Sequence, residues 1–265
     1  TQYLQESQDD SYHAWALLRM INMVLLSVYE LDYYSLSKIP IHQLDPKIHG
    51  LYAAVLNAAA NVSRQTSKEA IVLLDSVITM NEWRMIGPFS VKFSPDLGDP
   101  LSPEADSILK EKYTYDGIEI AEQLSTGSLI TYRPYPQMGI MYAETTLELE
   151  EDLDFVATLI SDYYFFLWID GQLVLKKDFN TVETNSYKSR EIKLSKGKHR
   201  FRVKFAAHDK RTNPFYLSLS PINKTLDSFY YRIDALDRSE INSQIQIGEK
   251  LNILDDFPKS PKALA

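Results

Sequence analysis

The segment from residue 161 to residue 205 constrains the fold most, because its apolar residues recur with the period of a β-strand between recognisable turns. Aromatic and β-branched residues fill Tyr163 to Ile169, and Asp170-Gly171 then gives a strong hairpin turn signal. Gln172 to Leu175 is expected to form the return strand. These features predict an antiparallel sheet rather than a helix in this part of the chain.

The strand after the polar loop alternates without interruption. Phe201, Val203 and Phe205 share one face, and three cations share the other: Arg200, Arg202 and Lys204. We expect the apolar face to point into a core and the cationic face to lie in solvent. Two such hairpins with a one-sided apolar face are typical of a β-sandwich.

The first eighty residues instead show helical spacing. Apolar residues recur every three or four positions between Ser11 and Leu31, and Asp45-Pro46 is typical of the start of a second helix. Thr66 and Glu69 form a capping-box pattern, which predicts a third helix ending at Met80. The helical segment is somewhat similar to a tetratricopeptide array, although it has no repeat of fixed period.

These patterns predict an α+β fold class, with an N-terminal helical segment followed by an antiparallel, jelly-roll-like β-sandwich. We expect three regions: a helical segment over 1–80, a binding-type sandwich over 81–221, and a tail over 222–265 that packs on the rest or is partly disordered. Because the chain starts at Thr1, we expect a processed protein or part of a larger one.

The composition excludes several kinds of site. The sequence has no cysteine, which rules out disulfides, thiolate catalysis and zinc-thiolate centres. The net charge is −8, from 28 basic and 36 acidic residues, and this argues against a nucleic-acid partner. No apolar run is long enough for a membrane span. We expect no metal, no cofactor and, without a nucleophile elbow or phosphate loop, no catalytic residue.

Residues from about 139 to 220 resemble the protective-antigen-type β-sandwich domain, which is found in bacterial toxins, glycosidases and yeast adhesins. The resemblance is carried by Ser161-Asp162, by Leu167 to Gly171, and by Leu194 to His199. Separately, Trp83 to Phe89 is similar to the opening strand of galactose-binding-like jelly rolls in bacterial envelope proteins. Both resemblances imply a sandwich that binds carbohydrate or protein.

This sequence departs from the sugar-binding members of that family at one important position. Those members hold calcium with two adjacent aspartates, whereas Asp162 is followed here by Tyr163. The calcium-dependent sugar site implied by the resemblance is therefore not expected. Asp162 remains a candidate ligand-binding residue, as does the pair His208-Asp209 on the loop after the 201–207 strand, for which an ordinary surface pair is the alternative.

Tyr164, Phe166 and Trp168 are the other candidate ligand-binding residues. If Phe165, Leu167 and Ile169 face the core, these three aromatic side chains form a stripe on the opposite face. An exposed stripe would be a stacking platform for a sugar or a peptide. The alternative, which we favour, is that the stripe is buried by the helical segment, by another strand or by the tail.

The predicted function is a non-catalytic module that binds a glycan or a protein. Its expected location is the periplasm, the cell surface or the outside of a bacterial cell. One alternative is a rigid scaffold domain of a larger protein. A domain associated with a glycoside hydrolase is a third possibility. A hydrolase itself would require a carboxylate pair across a cleft or a metal, which sequence alone does not reveal.

Overall fold

The computed structural model describes residues 48–50, 77–89, 98, 100–126, 130–132, 139–161, 164–177, 187–207 and 213–251. Residues 48–50 are helical, and short 3-10 helices occur at Ser102–Glu104 and Leu226–Ser228. The strands are β1 (Ile78–Thr79), β2 (Glu82–Phe89), β3 (Lys112–Tyr115), β4 (Ile118–Ala121), β5 (Gln123–Thr126), β6 (Ile130–Tyr132), β7 (Gly139–Leu149), β8 (Leu153–Ser161), β9 (Phe165–Ile169), β10 (Gln172–Lys177), β11 (Tyr187–Leu194), β12 (Gly197–Ala207), β13 (Asn213–Pro221), β14 (Tyr231–Asp234) and β15 (Ile245–Leu251).

Two antiparallel sheets form a sandwich within these described ranges. The six-stranded sheet has the order β1-β13-β8-β11-β15, with β6 also paired to β13. The seven-stranded sheet has the order β10-β9-β12-β7-β2-β5, with β14 also paired to β7. Strands β3 and β4 form a separate hairpin. Because β14 and β15 follow residue 222, the C-terminal part of the chain contributes a strand to each main sheet.

The core lies between the two sheets and follows the predicted alternation. Phe201, Val203 and Phe205 of β12 are buried there, beside the equally buried Leu167 of β9. Trp83 of β2 donates a hydrogen bond from its indole N–H to the carbonyl of Met80, at 2.8 Å. The β-period of the sequence therefore identified the core face of both strands.

The predicted α+β fold class is wrong, because the described part of the chain is an antiparallel β-sandwich. The third predicted helix should have continued to Met80, but Ile78–Thr79 is strand β1 and pairs with β13. Ile78 is fully buried in the core opposite Leu219. An apolar pair such as Val77-Ile78 fits a helical stripe and a strand end equally well, and pairing with β13 decided the outcome. The first two predicted helices lie outside the described residues, apart from residues 48–50.

A second buried layer covers the outer face of the seven-stranded sheet. Segment 101–121, which includes the first 3-10 helix and the β3–β4 hairpin, packs there through Leu109 and Tyr113. The prediction that Arg200, Arg202 and Lys204 lie in solvent is consequently wrong, since Arg200 and Lys204 are buried and Arg202 is only 12% exposed. Their strand has two covered faces instead of one.

The outer face of the six-stranded sheet is covered differently, by residues 48–50. A Cβ atom placed on Gly50 would lie 2.7 Å from Cβ of Thr158 and 2.9 Å from the hydroxyl oxygen of Ser218. Such distances are too short for any side chain larger than that of glycine. The described helical residues therefore contact the sheet opposite the aromatic stripe, so they are not its cover. None of the helices in the described ranges is long and apolar enough to cross a membrane.

Candidate ligand-binding cleft

An open cleft lies on the outer face of the seven-stranded sheet, at the end where β9 turns into β10. Its volume is about 690 Å³, within the range of small-molecule and oligosaccharide sites. Segment 104–108 forms one wall, the Asp170-Gly171 turn lies at one end, and residues 240–243 form the other wall. The lining residues are Glu104, Ala105, Asp106, Ser107, Ile108, Trp168, Asp170, Gly171, Arg200, Arg202, Glu240, Ile241 and Ser243.

Trp168 is the aromatic side chain of the cleft. It is half-buried, and its ring meets that of Phe166 edge-on with a centroid distance of 5.7 Å. Its indole N–H has no hydrogen-bond partner among the described residues. A half-buried indole beside polar groups offers a flat apolar surface for stacking and a free donor at its edge.

Glu144 is the centre of a buried ionic cluster beneath the wall formed by 104–108. Its Oε1 accepts hydrogen bonds from Arg84 Nη2 at 2.5 Å and from the Leu109 amide at 3.1 Å. Its Oε2 accepts from Arg202 Nε at 2.8 Å and from Nη2 at 2.5 Å. Arg200 Nε lies 3.8 Å from Oε1. Because Glu144 is fully buried, these guanidinium groups supply the compensation that its charge requires.

The same arginines fix both walls of the cleft. Arg202 Nη1 donates to the carbonyls of Pro103 at 3.0 Å and Asp106 at 2.7 Å. Arg200 reaches both walls, with Nη1 donating to the Ser107 carbonyl at 3.4 Å and Nη2 donating to the Ser239 carbonyl at 2.5 Å. One side chain thus ties together two segments that lie more than 130 positions apart. The cleft is held open by charge-assisted hydrogen bonds rather than by sheet pairing.

The end of the cleft is fixed by the Asp170-Gly171 turn. Asp170 and Gly171 have φ values of +51° and +77°, as a type I′ turn requires, and they form the hairpin turn that the sequence predicted. The Asp170 carboxylate accepts from the Arg200 amide at 2.7 Å and lies 2.6 Å from Nδ1 of His199. The other ring nitrogen of His199 lies 2.7 Å from the Ser195 carbonyl. Both ring nitrogens of His199 are therefore engaged, so His199 is a structural residue that links Asp170 to Ser195.

Burial and pairing shift several ionisation equilibria around the cleft. Burial lowers the pKa values of Arg84 and Arg200, and Glu144 opposes that effect in both cases. Burial raises the pKa of Tyr113 to about 12, and it raises that of Tyr142 further. Tyr142 thus stays neutral and donates to Glu104 Oε1 at 2.6 Å, where Lys204 Nζ also donates at 2.7 Å. Glu104 is held on the wall by these two contacts.

The structure separates the predicted site residues. Trp168 lies in the cleft, Phe166 is buried beside it, and Tyr164 is half-buried in the same apolar layer. The other three candidates, Asp162, His208 and Asp209, fall outside the described residues. Sequence reasoning missed the carboxylates and arginines of the cleft, and it assigned Arg200 and Arg202 to solvent. The turn signal at Asp170 and the predicted aromatic stripe pointed to this end of the sheet.

A metal centre is not evident in the described ranges, where His, Asp and Glu side chains do not form a group of three suited to bind a metal ion. Asp170 and His199 form a close pair, but both are engaged in structural hydrogen bonds. The arrangement can bind a polar ligand between a stacking ring and fixed hydrogen-bonding groups.

Comparison with known proteins adds a limited likeness of fold. No protein-family model matches the sequence, and no curated protein matches it. The structure is similar to a β-glucosidase from Kluyveromyces marxianus, with 10% identity, a TM-score of 0.37 and coverage of 54% of this chain; the matched part spans 17% of that chain. It is also similar to the epithelial adhesin 9 A domain from Candida glabrata in complex with Galβ1-3GlcNAc, with 11% identity, a TM-score of 0.35 and coverage of 61% of this chain and 92% of that one.

Likenesses of this size identify neither a ligand nor an activity, so the function is inferred from the cleft itself. The fold and the site together define a β-sandwich that carries a polar cleft with one aromatic side chain on the outer face of one sheet.

Proposed function

We propose that this chain is a non-catalytic glycan-binding module of a secreted or cell-surface protein, and, as the sequence resemblance implies, one of a bacterial envelope. The observation that supports it most is Trp168, half-buried in a cleft of about 690 Å³ between fixed polar walls. A pyranose ring presents an apolar face bordered by hydroxyl groups. An indole face with carboxylates and carbonyls around it complements both features.

The lining of the cleft distinguishes it from the site implied by the resemblance. Asp162 lies outside the described residues, whereas Trp168 and Asp170 line the cleft. The proposed site therefore does not depend on the aspartate pair that this sequence lacks.

A glycan array probed with the purified chain, with and without calcium, tests this proposal. We expect binding that does not require calcium and that is lost in Trp168→Ala. Tyr230→Ala is the matched control, because Tyr230 is 55% exposed and lies outside the cleft. Absence of binding to every glycan, or binding that survives Trp168→Ala, would refute the proposal.

A rigid scaffold is the second candidate function, and the contact of Gly50 with Thr158 and Ser218 favours it. Ile48 is fully buried and His49 nearly so, and Gly50 lies against the six-stranded sheet. A helical stretch that packs on a sheet in this way would suit a module that holds neighbouring parts of a larger protein. The two functions are compatible, because they use opposite sheets.

A further inference from the structure

Within the proposed glycan-binding function, on which this inference rests, we propose that the preferred ligand carries a protonated amine, as a de-N-acetylated hexosamine does. The cleft is lined by four carboxylates, Glu104, Asp106, Asp170 and Glu240, and by two guanidinium groups, Arg200 and Arg202. The two kinds of group differ in how far they remain available to a ligand.

The guanidinium groups are withdrawn from the cleft surface. The side chains of Arg200 and Arg202 are 7% and 12% exposed. Four of the five N–H groups of Arg202 are directed to Glu144 or to wall carbonyls. An anionic sugar such as a uronic acid would have to displace these hydrogen bonds in order to pair with them. The arginines thus shape the cleft more than they attract a negative ligand.

Three of the four carboxylates are presented to the ligand, whereas Asp170 is only 8% exposed and is engaged by His199 and the Arg200 amide. Glu104 and Asp106 keep 26% and 21% of their side-chain surface exposed, and Glu240 is exposed on the opposite wall. Each ionised carboxylate has about four lone-pair sites, so even the paired ones retain acceptor capacity. Glu240 makes no ion pair or hydrogen bond with a described residue, so its exposed carboxylate is available to a ligand. The walls therefore offer hydrogen-bond acceptors and one unpaired carboxylate.

The Trp168 ring points to an amino sugar rather than to a simple cation. Its face attracts both a sugar ring and an ammonium group. Its indole N–H has no hydrogen-bond partner among the described residues, so it can donate to a hydroxyl oxygen of the ligand. A hexosamine supplies both the ammonium donor and the hydroxyl acceptors on one ring.

Calorimetric titration of the full chain distinguishes the ligand chemistries. Short oligomers of glucosamine, N-acetylglucosamine and galacturonic acid, matched in length, are compared in a mildly acidic buffer. We expect the glucosamine oligomer to bind about tenfold more tightly than the acetylated one, with little or no binding of the uronate. The preference should weaken as salt is added.

Variants test whether the preference arises in the cleft. Trp168→Ala should remove binding of the glucosamine oligomer, and Glu240→Gln should weaken it by about two- to fivefold. Glu249→Gln, an exposed position on β15 outside the cleft, is the matched control and should have no effect.

Several outcomes would overturn the inference. Equal or tighter binding of the acetylated or acidic oligomer, indifference to Glu240→Gln, or no binding of any of the three would each do so. A lysine-rich peptide that binds more tightly than the glucosamine oligomer would also overturn it, in favour of a protein partner. If a neutral glycan binds and Trp168→Ala abolishes that binding, the proposed function stands and only the amine preference fails.

Discussion

Arg202 donates two hydrogen bonds to the same carboxylate oxygen of Glu144, one from Nε at 2.8 Å and one from Nη2 at 2.5 Å. Both residues lie on the outer face of the seven-stranded sheet, where they are directly opposite each other on the neighbouring strands β12 and β7. Segment 101–111 seals them from water, since Arg202 also donates to the carbonyls of Pro103 and Asp106. The wall of the cleft therefore depends on this buried ion pair.

Glu144→Gln should be among the most destabilising conservative substitutions in this chain. The change keeps the side-chain volume but leaves the surrounding guanidinium groups without their central carboxylate. Breaking a buried ion pair in this way costs about 3–5 kcal/mol. Denaturant unfolding measures the loss.

Glu148→Gln is the matched control, because Glu148 lies on the same strand, is 37% exposed and pairs with the half-exposed Arg232. We expect it to cost about 0–1 kcal/mol. Equal effects of the two substitutions would show that the buried cluster does not stabilise the fold.

The burial of this cluster marks the limit of what the sequence could predict. Alternation on β12 correctly placed Phe201 and Val203 in the core, because pairing and burial follow a period of two. The opposite face could not be assigned, since a charge that faces solvent and a charge that faces a covering loop give the same pattern. The segment that covers that face, 101–111, lies far from β12 in the sequence.

Local signals were sufficient where the chain pairs with its immediate neighbour. The Asp170-Gly171 turn formed as predicted, because its positive φ values suit these two residues. The predicted end of the third helix was wrong, because β1 pairs with β13, about 140 residues later. Most residues of the cleft were not predicted for the same reason, since its walls come from segments that meet only in the folded structure.

Two residues of the aromatic stripe should have different roles, with Phe166 stabilising the fold and Trp168 binding the ligand. Phe166 is 7% exposed, so Phe166→Ala should cost about 3–5 kcal/mol through the cavity it leaves. Trp168 is half-buried, so Trp168→Ala should lower the free energy of unfolding less and should instead reduce ligand binding. Thermal and denaturant unfolding, combined with calorimetry, separate the two effects. A larger stability loss for Trp168→Ala than for Phe166→Ala would contradict this division.

Gly50→Ala should loosen the contact between the helical stretch at 48–50 and the six-stranded sheet. The added methyl group would lie 2.7 Å from Thr158 Cβ. The shifts needed to accommodate such overpacking lower the free energy of unfolding by about 1–3 kcal/mol. The double variant with Thr158→Gly removes the Thr158 atoms and leaves the Ser218 hydroxyl oxygen at 2.9 Å, so a double-mutant cycle should show a partly compensating coupling between the two sites. Purely additive effects would mean that the two residues are not in contact.

Stability should fall in acid partly through Asp237, which lies behind the wall formed by 240–243. Burial works to raise the pKa of its carboxyl, but hydrogen bonds from Lys198 at 2.7 Å and from Ser239 outweigh that effect and hold the pKa below its ordinary value. A carboxyl with a depressed folded-state pKa contributes stability above its unfolded pKa of about 3.9, and this contribution is lost as the pH falls further.

Asp237→Asn should therefore flatten the decline of unfolding free energy below about pH 5, while it destabilises the protein by about 1 kcal/mol near neutrality. Denaturant unfolding over a pH series is the measurement. Asp116→Asn, in the β3–β4 turn, serves as the control and should leave the pH profile unchanged. If the plot of unfolding free energy against pH for Asp237→Asn were displaced with the same slope as that of the parent, Asp237 would not contribute to the loss of stability in acid.

Calcium should not bind tightly around Asp162, even though the resemblance to calcium-dependent sugar-binding sandwiches includes this position. Calcium favours several carboxylate and carbonyl oxygens at once, and Tyr163 supplies no carboxylate beside Asp162. Calorimetric titration of the parent chain with calcium should give no tight binding, and a chelator should leave glycan binding unchanged. Tyr163→Asp, which places two carboxylates side by side, is the matched gain-of-function variant and should raise calcium affinity. Tight binding by the parent that disappears in Asp162→Ala would show that the tyrosine does not disable the site.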